Sequence, residues 1–135
     1  MNDNYSIMKV IAACICHKGD SLMIYDTEKT ITLPSTIVND DLSIEIALNN
    51  FFTERGWKIA LGNLRYLLEE FNNEGKTLHL VYIGNVLREG KQNNLKFINI
   101  NKIDFTCTYP RMLFGKILAD KDRWNQPSCT TLVSW

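Results

Sequence analysis

A chain of 135 residues with 45% hydrophobic and 22% charged side chains has the make-up of one globular domain, which excludes wholesale disorder and fibrous repeats. Fifteen Lys and Arg offset fifteen Asp and Glu, a net charge of zero. That excludes nucleic-acid binding by bulk charge, because counterion release by Lys and Arg supplies most phosphate affinity. No basic run offers a membrane patch, and the apolar stretch Met8–Cys16, broken by Lys9, falls far short of the ~20 residues of a membrane helix. Four cysteines in a chain able to build its own core do not read as a disulfide scaffold. The expectation is a soluble, cytoplasmic single domain over residues 1–135, with no nucleic-acid or membrane partner.

Residues 1–6 form a polar lead-in. Met8–Cys16 is β-rich and almost continuously apolar, as suits a strand covered on both faces. Lys18-Gly19-Asp20 supplies a turn, Ser21–Asp26 a second strand, and Thr30–Leu33 a short extended piece that Pro34 keeps out of helix, before a loop to Asp40-Asp41. Ile44, Ala47, Leu48, Phe51 and Phe52 then recur at helical spacing, predicting a helix over 42–55 packed on a core. Asp41 or Ser43 can cap it, Glu45 suits its first turn, and Gly56 stops it.

Trp57–Phe71 reads as extended, with a bulge or turn at Gly62, and Asn72–Lys76 as a hairpin connection into a central strand, Thr77–Leu87. A polar loop, Arg88–Asn94, leads to a strand at Leu95–Ile100, then a helical turn begins at Asn101–Asp104. Arg111–Lys121 is a second helix with Met112, Leu113, Ile117 and Leu118 on its buried side, and the tail ends in a β-prone Thr130–Val133. Two helices separated by a mixed sheet make an α/β/α sandwich.

A strand ending Leu33-Pro34, a capped amphipathic helix and a terminal Gly56-Trp57 together resemble the Nudix hydrolases, and Lys96-Phe97-Ile98 looks like that family's Arg-Trp-apolar strand before its last helix. The resemblance spans most of the chain and implies a Nudix-like α/β/α sandwich with a mixed sheet. It also implies a box of helix glutamates that hold Mg or Mn against a substrate diphosphate. Aligned backward from Gly56-Trp57, the family's two late glutamates fall on Thr53 and Glu54, its Arg-Glu pair on Asn49 and Asn50, and its loop glutamate most nearly on Asp41. The two glycines after the proline fall on Ser35 and Thr36.

Only Glu54 keeps its family identity among the four helix positions. Positions i, i+3 and i+4 share a helical face, so Asn50, Thr53 and Glu54 present a single carboxylate where the family presents three. Glu45 lies about 180° round the helix from Glu54 and cannot replace the others. Lys91-Gln92-Asn93-Asn94 stands where many members carry acidic residues, with Glu89 the nearby carboxylate. The resemblance with these departures implies an eroded box, a ligand that is nucleotide-like or a protein, no required cofactor, and little or no hydrolysis. The alternative is a Mg- or Mn-dependent pyrophosphohydrolase with Glu54 as its metal ligand, helped by Asp41 or Glu89.

The other candidates have plainer readings. Cys14 and Cys16 share a strand face but lack zinc-knuckle spacing, so they read as core filler. His79 reads as a satisfied strand histidine, unless Cys107 or Cys129 lies close enough to pair with it. Glu69, Glu70 and Glu74 read as a solvated edge near a hairpin turn. Trp57 belongs in the core, whereas Trp124 and Trp135, out in the tail, offer a base-stacking surface or a homodimer contact.

Overall fold

The computed structural model describes residues 7–39 and 41–135; the polar lead-in and Asp40 lie outside them. The chain begins with β1 (Ile7–Ile15), β2 (His17–Lys18), β3 (Ser21–Asp26), β4 (Ile31–Thr32) and β5 (Ser35–Ile37). Helix α1 (Ile44–Thr53) precedes the long hairpin of β6 (Lys58–Asn72) and β7 (Gly75–Arg88). β8 (Leu95–Asn99), α2 (Arg111–Ala119) and β9 (Thr130–Ser134) complete it, with short 3-10 turns at Ile100–Lys102, Phe105–Cys107 and Lys121–Arg123.

A five-stranded mixed sheet runs β5-β1-β7-β6-β9. β1 lies parallel to β7, β6 antiparallel to β7, and β9 parallel to β6. In a second, antiparallel sheet β2 and β4 pair with the two ends of β3 while β8 runs along it. Strand alternation divides the core in two. Ala12, Cys14 and Cys16 face α1 with Leu48, Phe51, Phe52 and Trp57. Ala13 and Ile15 face α2 with Leu113, Phe114 and Ile117. One helix on each face of a mixed sheet is the predicted sandwich.

Local chemistry sets the element ends. The Ser43 hydroxyl accepts from the Ile46 N–H at 3.2 Å, capping α1, and Gly56 at φ 81 takes the left-handed step that turns the chain out of it. Asn72 pairs with Gly75 across a two-residue loop, fixing the β6–β7 register. The bulge expected at Gly62 is present as a register shift between Leu61 and Leu64. A second shift, between Leu64 and Tyr66, inserts Arg65 and leaves it buried beside Tyr66. Its guanidinium donates to the Arg123 and Ser128 carbonyls and the Thr130 hydroxyl, tying the segment before β9 onto β6.

Several sequence expectations are corrected. Ser35–Ile37 is a strand rather than a loop, since it pairs antiparallel with β1 from Ile11 to Ala13. Met112 faces solvent and Phe114 takes its place in the core, because the buried face of α2 is rotated toward Leu113, Phe114 and Ile117. Trp124 is buried, with its indole N–H donating to the Ile117 carbonyl at 2.7 Å, so it offers no base-stacking or dimer surface. β6 is no edge, because β9 covers it. Glu69 pairs with Lys76 at 2.9 Å and Glu70 bonds to His79, which leaves Glu74 in the hairpin turn as the solvated member.

Candidate functional site

The candidate residues of the sequence gather mainly in two places on the sandwich. The first is the outer face of α1. Leu48, Phe51 and Phe52 point into the core, so helical geometry turns Asn49, Asn50 and Thr53 to solvent. Glu54 follows as the C-cap, its side chain 74% exposed and 3.8 Å from the Arg55 guanidinium. Arg55 is held in place: it donates to the Phe51 carbonyl at 2.8 Å and lies over the Phe51 and Tyr25 rings. A fixed cation therefore stands beside the carboxylate at this end of the helix. The neighbouring carboxylates are also paired, Asp26 with Lys96 and Glu89 with Lys18.

The expected site residues separate here. Glu54 opens onto a hollow with Tyr25, Arg55, Asn93 and Asn94, whereas Asn49 and Thr53 line another with Trp57, Lys58 and Arg88. Glu45 lies in a third, beside Leu61 and Tyr82, on the far side of the helix as its spacing requires. Asp41 is exposed in the turn before α1. Among the described residues, no group of three or more His, Cys, Asp or Glu side chains converges as metal ligands would. Mg or Mn, which such a box implies, requires a cluster of oxygen donors with negative charge. An amide, a hydroxyl and one arginine-paired carboxylate do not fit a multi-metal centre.

The second place lies across the sheet, under the start of α2. Ile11 and Ala13 of β1, Thr32, Leu33, Ser35 of β5, His79 of β7, and Tyr109, Pro110 and Leu113 enclose a cavity of about 190 Å³. Register explains who takes part. Ser35 pairs with Ala13 and points to this side, while Thr36 pairs with Ala12 and turns to the α1 side. The two positions that the resemblance put together in one loop are thus split between opposite faces.

The cavity wall is apolar except at Thr32, Ser35, His79 and Tyr109. His79 is 2% exposed, and its Nε2 lies 3.0 Å from Oε1 of Glu70. The Tyr109 hydroxyl donates to the same carboxylate oxygen, and the Tyr109 ring meets the His79 ring edge-on at 5.8 Å. Burial pulls the His79 imidazole below its ordinary value, against the opposite pull of the Glu70 hydrogen bond and charge. Burial, then the Glu70 contact, pushes the Tyr109 hydroxyl up. The cavity therefore holds a neutral imidazole and a neutral phenol, both oriented by one carboxylate.

The sequence singled out Ser35 through the resemblance and read His79 as a satisfied strand histidine, but it did not give Glu70 or Tyr109 as their companions. The hairpin register carried the signal for Glu70: it pairs with Thr77, so His79 sits diagonally across, within side-chain reach. Tyr109 is 39 positions from Glu70 and no local pattern announces that contact. Cys107 bonds instead to Asp104, so it forms no nucleophile pair with His79, and the exposed Cys129 is not among the residues bonded to that ring. Cys14 and Cys16 are buried with their sulfurs 3.7 Å apart, filling core as expected.

No protein-family model and no curated sequence matches this chain. Solved structures do. A Nudix hydrolase from Nitrosomonas europaea superposes with a TM-score of 0.74 over 96% of this chain and 80% of that one, at 12% identity. An ADP-ribose pyrophosphatase from Streptococcus suis gives 0.71 over 91% and 98%, also at 12% identity. A UDP-X diphosphatase gives 0.73 over 95% and 69%, again at 12%. The chain has the Nudix hydrolase fold, and at this identity the likeness speaks for the fold alone.

Proposed function

We propose that this Nudix-fold protein binds a nucleotide or nucleoside-diphosphate-like ligand with little or no hydrolysis. The observation that carries this reading is the contrast on α1: Asn50, Thr53 and an Arg55-paired Glu54 stand where metal-holding carboxylates would have to be. The cavity beneath α2 supplies the binding half. Its volume, about 190 Å³, is below the ~300–1,000 Å³ of sites that enclose drug-sized ligands. It suits one ring or sugar of a ligand whose charged remainder stays outside, with Ser35, His79 and Tyr109 as the polar contacts. The four cysteines are free thiols, which suits the reducing cytoplasm in which we place it.

The alternative is a Mg- or Mn-dependent pyrophosphohydrolase working through Glu54. In its favour are the activities of two similar structures, an ADP-ribose pyrophosphatase and a UDP-X diphosphatase. A turnover assay over nucleoside diphosphate derivatives with Mg²⁺ and Mn²⁺ separates the two. The binding reading expects no release of phosphate or monophosphate above the buffer rate, together with a ligand-dependent rise in melting temperature. Robust turnover that vanishes in Glu54→Gln would establish the alternative.

A further inference from the structure

β9 is the outermost strand of the five-stranded sheet. β6 takes one side of it, from Tyr66 opposite Thr130 to Glu70 opposite Ser134, and among the described residues no strand takes the other. A free edge presents a row of unpaired N–H and C=O groups, and proteins guard such edges with lysines, prolines, bulges or very short strands. The opposite edge is guarded: β5 is three residues long, directly follows Pro34 and packs against α1. β9 has no such protection. Ser128–Trp135 reads Ser-Cys-Thr-Thr-Leu-Val-Ser-Trp, without a charge or a proline, and its pairing with β6 runs without a register shift.

We propose that the free side of β9 pairs antiparallel with β9 of a second copy of this chain, joining two five-stranded sheets into one across a two-fold axis. Three features select a second copy. The edge is uncharged, so identical edges meet without opposing like charges, whereas a lysine- or carboxylate-bearing foreign strand would find no counter-charge on it. The acidic residues on the adjoining strand are already satisfied within the protomer, Glu69 by Lys76 and Glu70 by His79 and Tyr109. Antiparallel pairing of identical strands is also isologous, so it closes as a dimer instead of propagating as a filament.

Side chains beside the edge add an anchor. Thr131 and Val133 alternate onto the face away from Leu132, which packs in the α2-side core, and Val133 is 41% exposed. Trp135, 90% exposed, lies flat against Phe71 with ring centroids 4.7 Å apart and planes 14° from parallel. That is a pre-ordered aromatic surface of the kind that carries much of the energy in protein interfaces.

Light scattering after size exclusion, with amide hydrogen exchange, tests the proposal on the full chain. The expected result is a dimer in which the Thr130–Ser134 amides are uniformly protected. A Thr131→Lys/Val133→Lys double variant should become monomeric, with half of those amides turned fast. Both side chains point outward, so its circular dichroism should match the parent. Trp135→Ala, which leaves the edge backbone alone, should weaken the dimer without changing the fold. A chain that stays monomeric at every concentration overturns the proposal, even if its edge captures an added extended peptide. A dimer that the double lysine variant does not dissociate also overturns it, because the interface then lies elsewhere.

Discussion

The two faces of the central sheet carry opposite kinds of polar chemistry. On the α1 side, Asn50, Thr53 and Glu54 are solvated, and Glu54 shares its charge with a clamped arginine. On the α2 side, Glu70, His79 and Tyr109 are knitted together at the wall of an apolar cavity. Solvated groups at a helix surface cost little to replace, so that face is free to drift. His79 is buried and must be satisfied, which ties it to the half-buried Glu70 and through Glu70 to the exposed Tyr109. The polar residues at the cavity are thus held by one another, whereas those on α1 are left largely to solvent.

Removing the shared carboxylate should break the contrast most strongly. Glu70→Ala leaves the buried His79 without its acceptor and turns the exposed Tyr109 hydroxyl to water, at a cost of about 1–3 kcal/mol in urea unfolding. It should also abolish the ligand-dependent melting shift, while Glu70→Gln, which keeps an acceptor oxygen, retains part of both.

A smaller effect follows from the depressed His79 pKa. The fold holds this imidazole neutral, so the unfolded chain takes up its proton first, near the ordinary 6.5. The stability due to this group is complete above that value and drains away as pH falls below it, by at most ~1.4 kcal/mol per pH unit for one proton. Urea midpoints of the parent and His79→Gln, followed downward through the histidine range, should show the steeper acid-side loss in the parent. Parallel curves would mean that His79 titrates alike in both states.

The smallest effect belongs to the other face. Asn50→Ala and Thr53→Ala should each change stability by less than about 0.5 kcal/mol and leave the ligand-dependent shift intact. A loss of binding in either variant would show that the α1 face takes part in recognition after all.

Much of this architecture was legible in the sequence because its signals are local. The spacing of Ile44, Ala47, Leu48, Phe51 and Phe52 placed α1, and Ser43 and Gly56 bounded it. The Asn72–Gly75 turn placed the long hairpin. The missing charge on α1 was equally readable, since it depends only on residue identity and helical spacing. What escaped was non-local. Ser35–Ile37 becomes a strand because β1 offers it a partner, and Trp124 is buried because the Ile117 carbonyl and the core receive it. The cavity escaped for the same reason, being assembled by segments that meet only in three dimensions.

Gly84 carries a consequence of another kind. A methyl group there would come within 2.3 Å of the Cys14 sulfur and 3.0 Å of the Cys16 sulfur, so bare backbone forms the lid over this thiol pair. Cys107 and Cys129 are open to solvent while Cys14 and Cys16 are sealed. The molecule thereby holds a built-in record of its own opening: an alkylating reagent reaches one pair at once and the other only when the sheet comes apart.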